Sequence, residues 1–204
     1  SSNETINLNT PVFTGNVGVG VTPESWLSTY KALQVGGTGS IASSNTAAAG
    51  ADTHYGQNAY LNTSGAWAYQ VTDQASVMSQ NDGNFRFRVA PSGSADAAIT
   101  WTTAMTIDNS GNVMAGQTSV NVANNGHSFG AGGNYAHHTS TESTALILNR
   151  KTSNGDILRL RKDNTAVGSV SVTGSSTSYN TSSDYRLKEN VTPMSGATAQ
   201  TKLL

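Results

Sequence analysis

Aromatic and amide side chains are concentrated in residues 54–80, and both types are suited to recognising a ligand. Tyr55, Tyr60, Trp67 and Tyr69 are interleaved there with asparagine, glutamine and serine. Aromatic faces hold sugars and flat protein surfaces, and amide groups add hydrogen bonds. The segment therefore predicts a receptor-contact region. The alternative is that the same aromatic rings are ordinary core residues.

Histidine is the other residue type with metal-binding chemistry. His137 and His138 are the only adjacent histidines in the sequence, whereas His54 and His127 are isolated and are assigned no role. On a strand the adjacent pair would point to opposite faces, and one of them repeated by threefold symmetry would give a three-histidine metal site. The alternative is a pair of polar loop residues within 135–141. We therefore assign no metal site and expect no cofactor.

Charged side chains leave two further hypotheses open. A glycan-cleaving enzyme needs two carboxyl groups roughly 5–10 Å apart, and the sparse carboxylates do not establish such a pair: Asp52, Asp73, Asp82 and Asp96. A local basic cluster would suit an anionic lipopolysaccharide or, alternatively, a solvated strand face paired with Asp156 and Asp163. Its members are Arg150, Lys151, Arg159, Arg161 and Lys162.

The composition of the 204 residues is low in both charged (11 %) and hydrophobic (36 %) side chains. There is no cysteine for a disulfide, and a net charge of -1 argues against nucleic-acid binding. No stretch approaches the roughly 18 apolar residues that membrane insertion requires. Such a chain is stable if it shares its core with other copies of itself. Three chains around one axis would achieve this, although the composition does not select three over two.

Period-two patterns dominate the elements that must position these residues. Alternating or β-rich runs predict strands over residues 85–89, 98–107, 145–149, 156–161 and 166–173. Turn residues separate them at 108–111, Asn154-Gly155 and Asp163-Asn164. Residues 25–35 suit either a short helix or an extended segment, and residues 36–50 suit either an extended strand or a loop. The predicted fold is all-β, an elongated, intertwined fibre with short strands and a core shared between copies of the chain.

An approximate repeat links residues 15–21 (GNVGVGV) with residues 111–116 (GNVMAG). It predicts a recurring shaft element, and chance similarity in a chain rich in glycine and asparagine is the rival explanation.

The stretch at residues 183–190 reads Ser-Asp-Tyr-Arg-Leu-Lys-Glu-Asn. It closely resembles the opening motif Ser-Asp-x-Arg-x-Lys of the intramolecular chaperone autoprotease family, which is found at the C-termini of endosialidase tailspikes, phage neck appendages and L-shaped tail fibres. All four fixed positions are present, as Ser183, Asp184, Arg186 and Lys188. A charged surface turn is the alternative interpretation.

The resemblance implies a homotrimer whose chaperone assembles the chains and then cuts itself away. The implied cut lies between Ser182 and Ser183, and the implied catalytic pair is Ser183 and Lys188, with Asp184 and Arg186 in support. A serine hydroxyl can reach the preceding carbonyl through a five-membered ring, and a lysine can take its proton where burial or nearby positive charge favours the neutral amine.

Chaperones of this family run much further than residues 183–204. We therefore expect this chain to be part of a longer protein, with a truncated chaperone that cannot cut. We expect no turnover enzyme, and at most one self-cleavage per chain in the full-length parent. The implied domains are a shaft end (1–35), a β-rich fibre domain (36–115), a distal β-rich fibre domain up to the cleavage site (116–182) and the start of the chaperone (183–204).

The resemblance also implies a function and a location. The expected function is attachment of a phage tail fibre to a host cell-surface receptor. The expected partners are other copies of the chain, other tail proteins, and a host surface glycan or outer-membrane protein. The expected location is the virion, after assembly in the host cytoplasm. Alternatives are a polysaccharide-degrading tailspike, a purely structural trimeric shaft and a bacterial adhesin.

Overall fold

The computed structural model of the chain describes residues 13–181. The chain divides into two compact units between Ala145 and Leu146. Both units are built from strands, and the one helical element in residues 13–181 is the short 3₁₀ turn Ala131–Gly133. Within this part of the chain, no helix is long and apolar enough to cross a membrane. The all-β prediction is therefore confirmed, with an open sheet.

The first unit contains twelve strands. Ten of them form one sheet in the order β1-β2-β3-β4-β7-β8-β9-β10-β11-β12, and β5 pairs with β6 separately. The strands are β1 (Val17–Val19), β2 (Tyr30–Val35), β3 (Gly39–Ser44), β4 (Asp52–Gln57), β5 (Tyr60–Leu61), β6 (Trp67–Ala68), β7 (Asp73–Asn81), β8 (Asn84–Gly93), β9 (Thr102–Ile107), β10 (Val113–Ala115), β11 (Gly126–Phe129) and β12 (Ala136–Thr139). Neighbours are antiparallel except β1 and β2, which are parallel.

The helix alternative for residues 25–35 is wrong, since β2 occupies most of this segment. Its burial alternates with period two: Ala32 and Gln34 are buried, whereas Leu33 and Val35 are exposed. A helix would place residues 32 and 34 on different faces, but a strand places both against the same layer. The extended alternative for residues 36–50 is likewise confirmed over Gly39–Ser44, which pairs with β2.

The other strand predictions for this unit are confirmed in large part. Residues 85–89 lie within β8, and β9 accounts for the second half of 98–107. Before β9, Ala98 makes only an isolated bridge. The predicted turn at 108–111 is closed by the Asp108 carboxylate, which accepts hydrogen bonds from the backbone N–H groups of Ser110 and Asn112.

The two copies of the approximate repeat lie in different surroundings. The first contains β1, which pairs in parallel with β2, whereas the second contains β10, which lies between two antiparallel neighbours. They are therefore not the same structural unit. The predicted domain limits at 35 and 115 both fall within the ten-stranded sheet, because its hydrogen-bonded ladders continue past them.

The two faces of the large sheet differ in what covers them. One face, which we call the covered face, packs against side chains from the connections between strands, in two clusters centred on Trp26 with Tyr60 and on Tyr69 with Ala90. The opposite, open face carries a continuous cross-strand row of apolar residues: Val17, Leu33, Ile41, Tyr55, Met78, Phe87 and Met105. Ile41 and Tyr55 in this row are both 43 % exposed.

The second unit is a three-stranded antiparallel sheet. Its strands are β13 (Gly155–Lys162), β14 (Thr165–Val172) and β15 (Thr177–Thr181), in that order. The predicted strands at 156–161 and 166–173 are confirmed. Asp163 and Asn164 form the predicted tight turn, with φ values of 48° and 65°.

The strand prediction for residues 145–149 is wrong. Residues 146–150 adopt no regular secondary structure, and Leu146, Ile147 and Leu148 are exposed. The apolar run has strand-like composition, but no strand of the described chain pairs with it, and a strand exists only where a neighbour satisfies its backbone.

The second sheet is amphipathic yet has no interior of its own. Leu158, Val170 and Tyr179 lie opposite one another on one face, while Arg159, Ser169 and Asn180 do so on the other. No residue from 146 to 181 is buried. Leu160 is 51 % exposed and Tyr179 is 81 % exposed. The sheet therefore has an apolar face that residues 146–181 do not bury.

Candidate functional site

A cavity lined mostly by polar side chains lies on the covered face of the first unit. It has a volume of about 270 Å³, and we call it the arginine pocket. Its lining is Tyr30, Asp52, His54, Leu61, Trp67, Ser79, Asn81, Asn84, Arg86 and Arg88.

Three adjacent strands, β4, β7 and β8, position the polar groups of this pocket. His54 lies opposite Ser79, and Ser79 lies opposite Arg86, so the three side chains share one face of the sheet. Strand alternation adds Asp52 beside His54, and Arg88 beside Arg86. The run Phe85-Arg86-Phe87-Arg88 thus sends its arginines into the pocket and its phenylalanines to the open face.

A directed chain of hydrogen bonds crosses the pocket floor. Arg88 donates from Nη2 to Ser79 Oγ at 2.6 Å, and Ser79 Oγ lies 2.9 Å from His54 Nδ1. His54 Nε2 lies 3.0 Å from Asp52 Oδ2, and the hydroxyl of Tyr30 donates to the other oxygen of Asp52. One consistent assignment has Ser79 donating to His54 and His54 donating to Asp52, so that both oxygens of Asp52 accept from protein groups.

Burial sets the charge state of His54. The side chain is 5 % exposed. Burial lowers the pKa of His54 below its usual value of 6.5, Arg88 lowers it further, and Asp52 opposes the shift without reversing it. The imidazole is therefore neutral near pH 7, and its contact with Asp52 is a hydrogen bond of a neutral donor.

The order serine, histidine, aspartate is also that of serine hydrolases. Here the serine oxygen is not presented to a substrate. Ser79 is 5 % exposed, and its oxygen accepts a short hydrogen bond from Arg88. A catalytic serine has to reach a substrate carbonyl, so this geometry favours a structural role: the chain fixes the guanidinium of Arg88.

Two tryptophans complete the positioning of Arg88. The centre of its guanidinium lies 5.8 Å from the ring centre of Trp67 and 5.6 Å from that of Trp101. Both contacts are in the range of cation–π attraction. Burial and the nearby Arg86 lower the pKa of Arg88, but a guanidinium stays charged at neutral pH. Its Nε is buried and has no hydrogen-bond partner.

The predicted receptor-contact aromatics are not brought together. Tyr60 and Tyr69 are buried, with their hydroxyls donating to Asp96 and to the carbonyl of Pro91. Tyr55 lies on the open face of the sheet, whereas Trp67 lines the arginine pocket. The core alternative therefore describes Tyr60 and Tyr69, and a recognition role stays a prediction for Tyr55 and Trp67.

The adjacent histidines lie on β12 rather than in a loop, and they point to opposite faces. His138 Nδ1 lies 2.7 Å from His127 Nδ1 on β11, and His137 stacks on Tyr135 with ring centres 4.3 Å apart. No group of three or more histidine, aspartate or glutamate side chains suited to a metal ion is found within residues 13–181.

Three of the five members of the basic cluster contact oxygen atoms of the second unit. Arg159 contacts Asp156 at 2.9 Å, Lys162 contacts Asp163 at 3.4 Å, and Arg150 donates to the carbonyl of Ser153. Asp156 and Arg159 also line an open cavity of about 370 Å³. Since these two charges neutralise each other, that cavity offers no unpaired charge to a ligand.

The carboxylates do not form a glycan-cleaving pair at the arginine pocket. Asp52 is the one carboxylate in its lining. Asp96 accepts from Tyr60, Asp73 accepts from the backbone of Gln74, and Asp82 lies in the turn between β7 and β8. The implied cleavage residues lie outside the described residues: Ser182, Ser183, Asp184, Arg186 and Lys188.

Sequence reasoning missed the arginine pocket. The alternation over residues 85–89 predicts a strand with Arg86 and Arg88 on one face, but it does not identify a pocket, and the isolated His54 is assigned no role. The available signal was two arginines at alternate positions of one strand, which must share a face. Their partners on β4 and β7 could not be identified because the sequence of one strand does not determine its register against a strand distant in the chain.

No protein-family model, curated protein or solved structure matches this chain. Two features of the described residues therefore bear on function. They are the exposed apolar faces of the two sheets and the arginine pocket on the covered face of the larger one.

We predict that the thermal midpoint of unfolding falls between about pH 7 and pH 5, and that His54→Gln reduces this fall. Because the folded-state pKa of His54 is lowered, its contribution to stability is present above the unfolded value and is lost as the pH falls through the folded value. The measurement is thermal unfolding across this pH range at one protein concentration. His127→Gln, an exposed histidine outside the pocket, is the matched control. Identical pH dependence in the wild type and His54→Gln would contradict the assignment.

Proposed function

We propose that this chain is the distal part of a bacteriophage tail fibre, which forms a homotrimer and attaches the virion to a host cell surface. The observation that carries the proposal is the second sheet. It has an apolar face and no buried residue between positions 146 and 181.

A three-stranded sheet needs its apolar face buried to be stable. Fully burying a leucine-sized side chain contributes about 1.5–3 kcal/mol. On this face, Leu158 and Leu160 of β13 are 42 % and 51 % exposed, and Tyr179 of β15 is 81 % exposed. Copies of the same chain are the occupants that this pattern favours, because each copy brings an equivalent unsatisfied face.

The open face of the first sheet supports the same conclusion independently. Its apolar row crosses seven adjacent strands, from Val17 to Met105. The arginine pocket is on the other face, since His54 and Tyr55 are consecutive on β4. Association through the open face would therefore leave the pocket accessible to a receptor.

The motif at residues 183–188 supports a fibre made of three chains. The family that it resembles trimerises its fibres and then releases them by a cut before the motif serine. In the full-length parent we propose a single cut between Ser182 and Ser183, with Ser183 as nucleophile and Lys188 as base. The released fibre would belong to the virion, together with other tail proteins.

The receptor would be a surface glycan or an outer-membrane protein. A polysaccharide-degrading tailspike is less well supported, because hydrolysis of a glycosidic bond generally uses two carboxyl groups and the arginine pocket has Asp52 alone.

We predict that a chain with both Leu158→Ser and Leu160→Ser loses its trimeric mass in sedimentation and no longer competes with the parent phage for adsorption to host cells. The physical reason is loss of the apolar contact between copies. The matched control is Arg159→Ser with Arg161→Ser, two exposed positions on the same strand.

The unmodified chain and the arginine control should remain trimeric and slow adsorption when present in excess. A leucine variant that keeps the trimeric mass would contradict the shared core. A trimeric unmodified chain that leaves adsorption unchanged would contradict the attachment role.

We predict that Ser183→Ala or Lys188→Ala in the full-length parent abolishes the cut, because each removes one member of the proposed pair. The measurement is the mass of the product, whose new terminus identifies the cut. Ser182→Ala is the control and should still be cut. Normal processing of the Ser183 or Lys188 variant would overturn the assignment.

A further inference from the structure

We propose that the arginine pocket binds the carboxylate of an acidic sugar residue. This rests on the proposed function, because it assigns a ligand class to the attachment site. The pocket brings two arginines into one cavity with a single carboxylate, that of Asp52.

The charge balance of the pocket is positive. Arg86 and Arg88 both face it, and neither has a carboxylate within ion-pair distance in the described residues. Asp52 is its one acidic group, and both carboxylate oxygens already accept from Tyr30 and His54. A negatively charged ligand would therefore complete this site.

The hydrogen-bond donors of the pocket are preorganised. Ser79, Trp67 and Trp101 hold the Arg88 guanidinium in place, while its buried Nε has no partner. Arg86 is exposed at the pocket and makes no side-chain hydrogen bond to any described residue. Arg88 thus provides a fixed positive charge, and the Arg86 guanidinium is free to form two parallel hydrogen bonds with the ligand.

The pocket amides are already used by the protein. The side chain of Asn81 donates to the carbonyl of Gly50, and that of Asn84 donates to the carbonyl of Asn81. Asn84 also accepts from the backbone of Asn109. Recognition of the charged group therefore falls mainly to the two arginines.

The size and walls of the pocket suit one sugar residue. Its volume of about 270 Å³ is just below the usual range of small-molecule sites, about 300–1,000 Å³. Leu61 and the half-buried Trp67 give it an apolar wall for the C–H groups of a sugar ring. A planar guanidinium matches a planar carboxylate with two parallel hydrogen bonds, which favours a carboxylate over a neutral sugar.

The test is titration of the unmodified chain with methyl glucuronoside and methyl glucoside, followed by chemical-shift changes of the arginine and tryptophan side-chain N–H groups. The glucuronoside should bind at least tenfold more tightly and should weaken as salt is raised. Arg86→Gln should reduce glucuronoside affinity at least tenfold with an unchanged unfolding midpoint. Arg161→Gln, on the second unit, is the control and should bind as the unmodified chain does.

Equal binding of both sugars, or no binding, would overturn the inference, as would full affinity in Arg86→Gln. Glucose 6-phosphate binding more tightly than the glucuronoside would overturn the choice of carboxylate. If the chain competes for adsorption but does not bind the glucuronoside, the proposed ligand class is wrong and the proposed attachment role is retained. If the chain binds the glucuronoside but does not compete for adsorption, the proposed attachment role is wrong and the proposed ligand class is retained.

Discussion

The structure depends on one constraint: each of its two larger sheets has an apolar face that residues 13–181 leave exposed. The large sheet buries one face under Trp26, Tyr60 and Tyr69 and leaves the other open. The smaller sheet buries neither of its faces. Because the free energy of folding comes mainly from burying apolar surface, these exposed faces are where a covering surface would add most stability. In the proposed homotrimer that surface belongs to other copies of the chain.

The same alternation that produces the open face also produces the pocket. In β8, Phe87 points to the open face and Arg88 to the covered one, so under the proposed function one strand would serve both association and recognition. A buried arginine is costly to desolvate unless it is well surrounded. Here two tryptophan rings contact the guanidinium, and a hydrogen-bond chain runs from it through Ser79 and His54 to Asp52. These contacts fix a positive charge on the covered face of the sheet.

Sequence patterns predicted the all-β class and the strands β8, β13 and β14 because alternation is local. Residues 85–89 and the turn at Asp163-Asn164 are examples in which a few neighbours determine the conformation. The run at 145–149 has the composition of a strand but no partner, and partners are not local. The pocket could not be predicted for the same reason. His54, Ser79 and Arg88 come from three strands, and only the folded sheet defines the register between those strands.

The most direct test of the shared core is the mass of the unmodified chain in solution, measured by native mass spectrometry over a range of concentrations. The account predicts an assembly of three chains of 21.1 kDa each. A dimer would keep the shared core but contradict the fibre assignment. A stable, folded monomer of 21.1 kDa would contradict both.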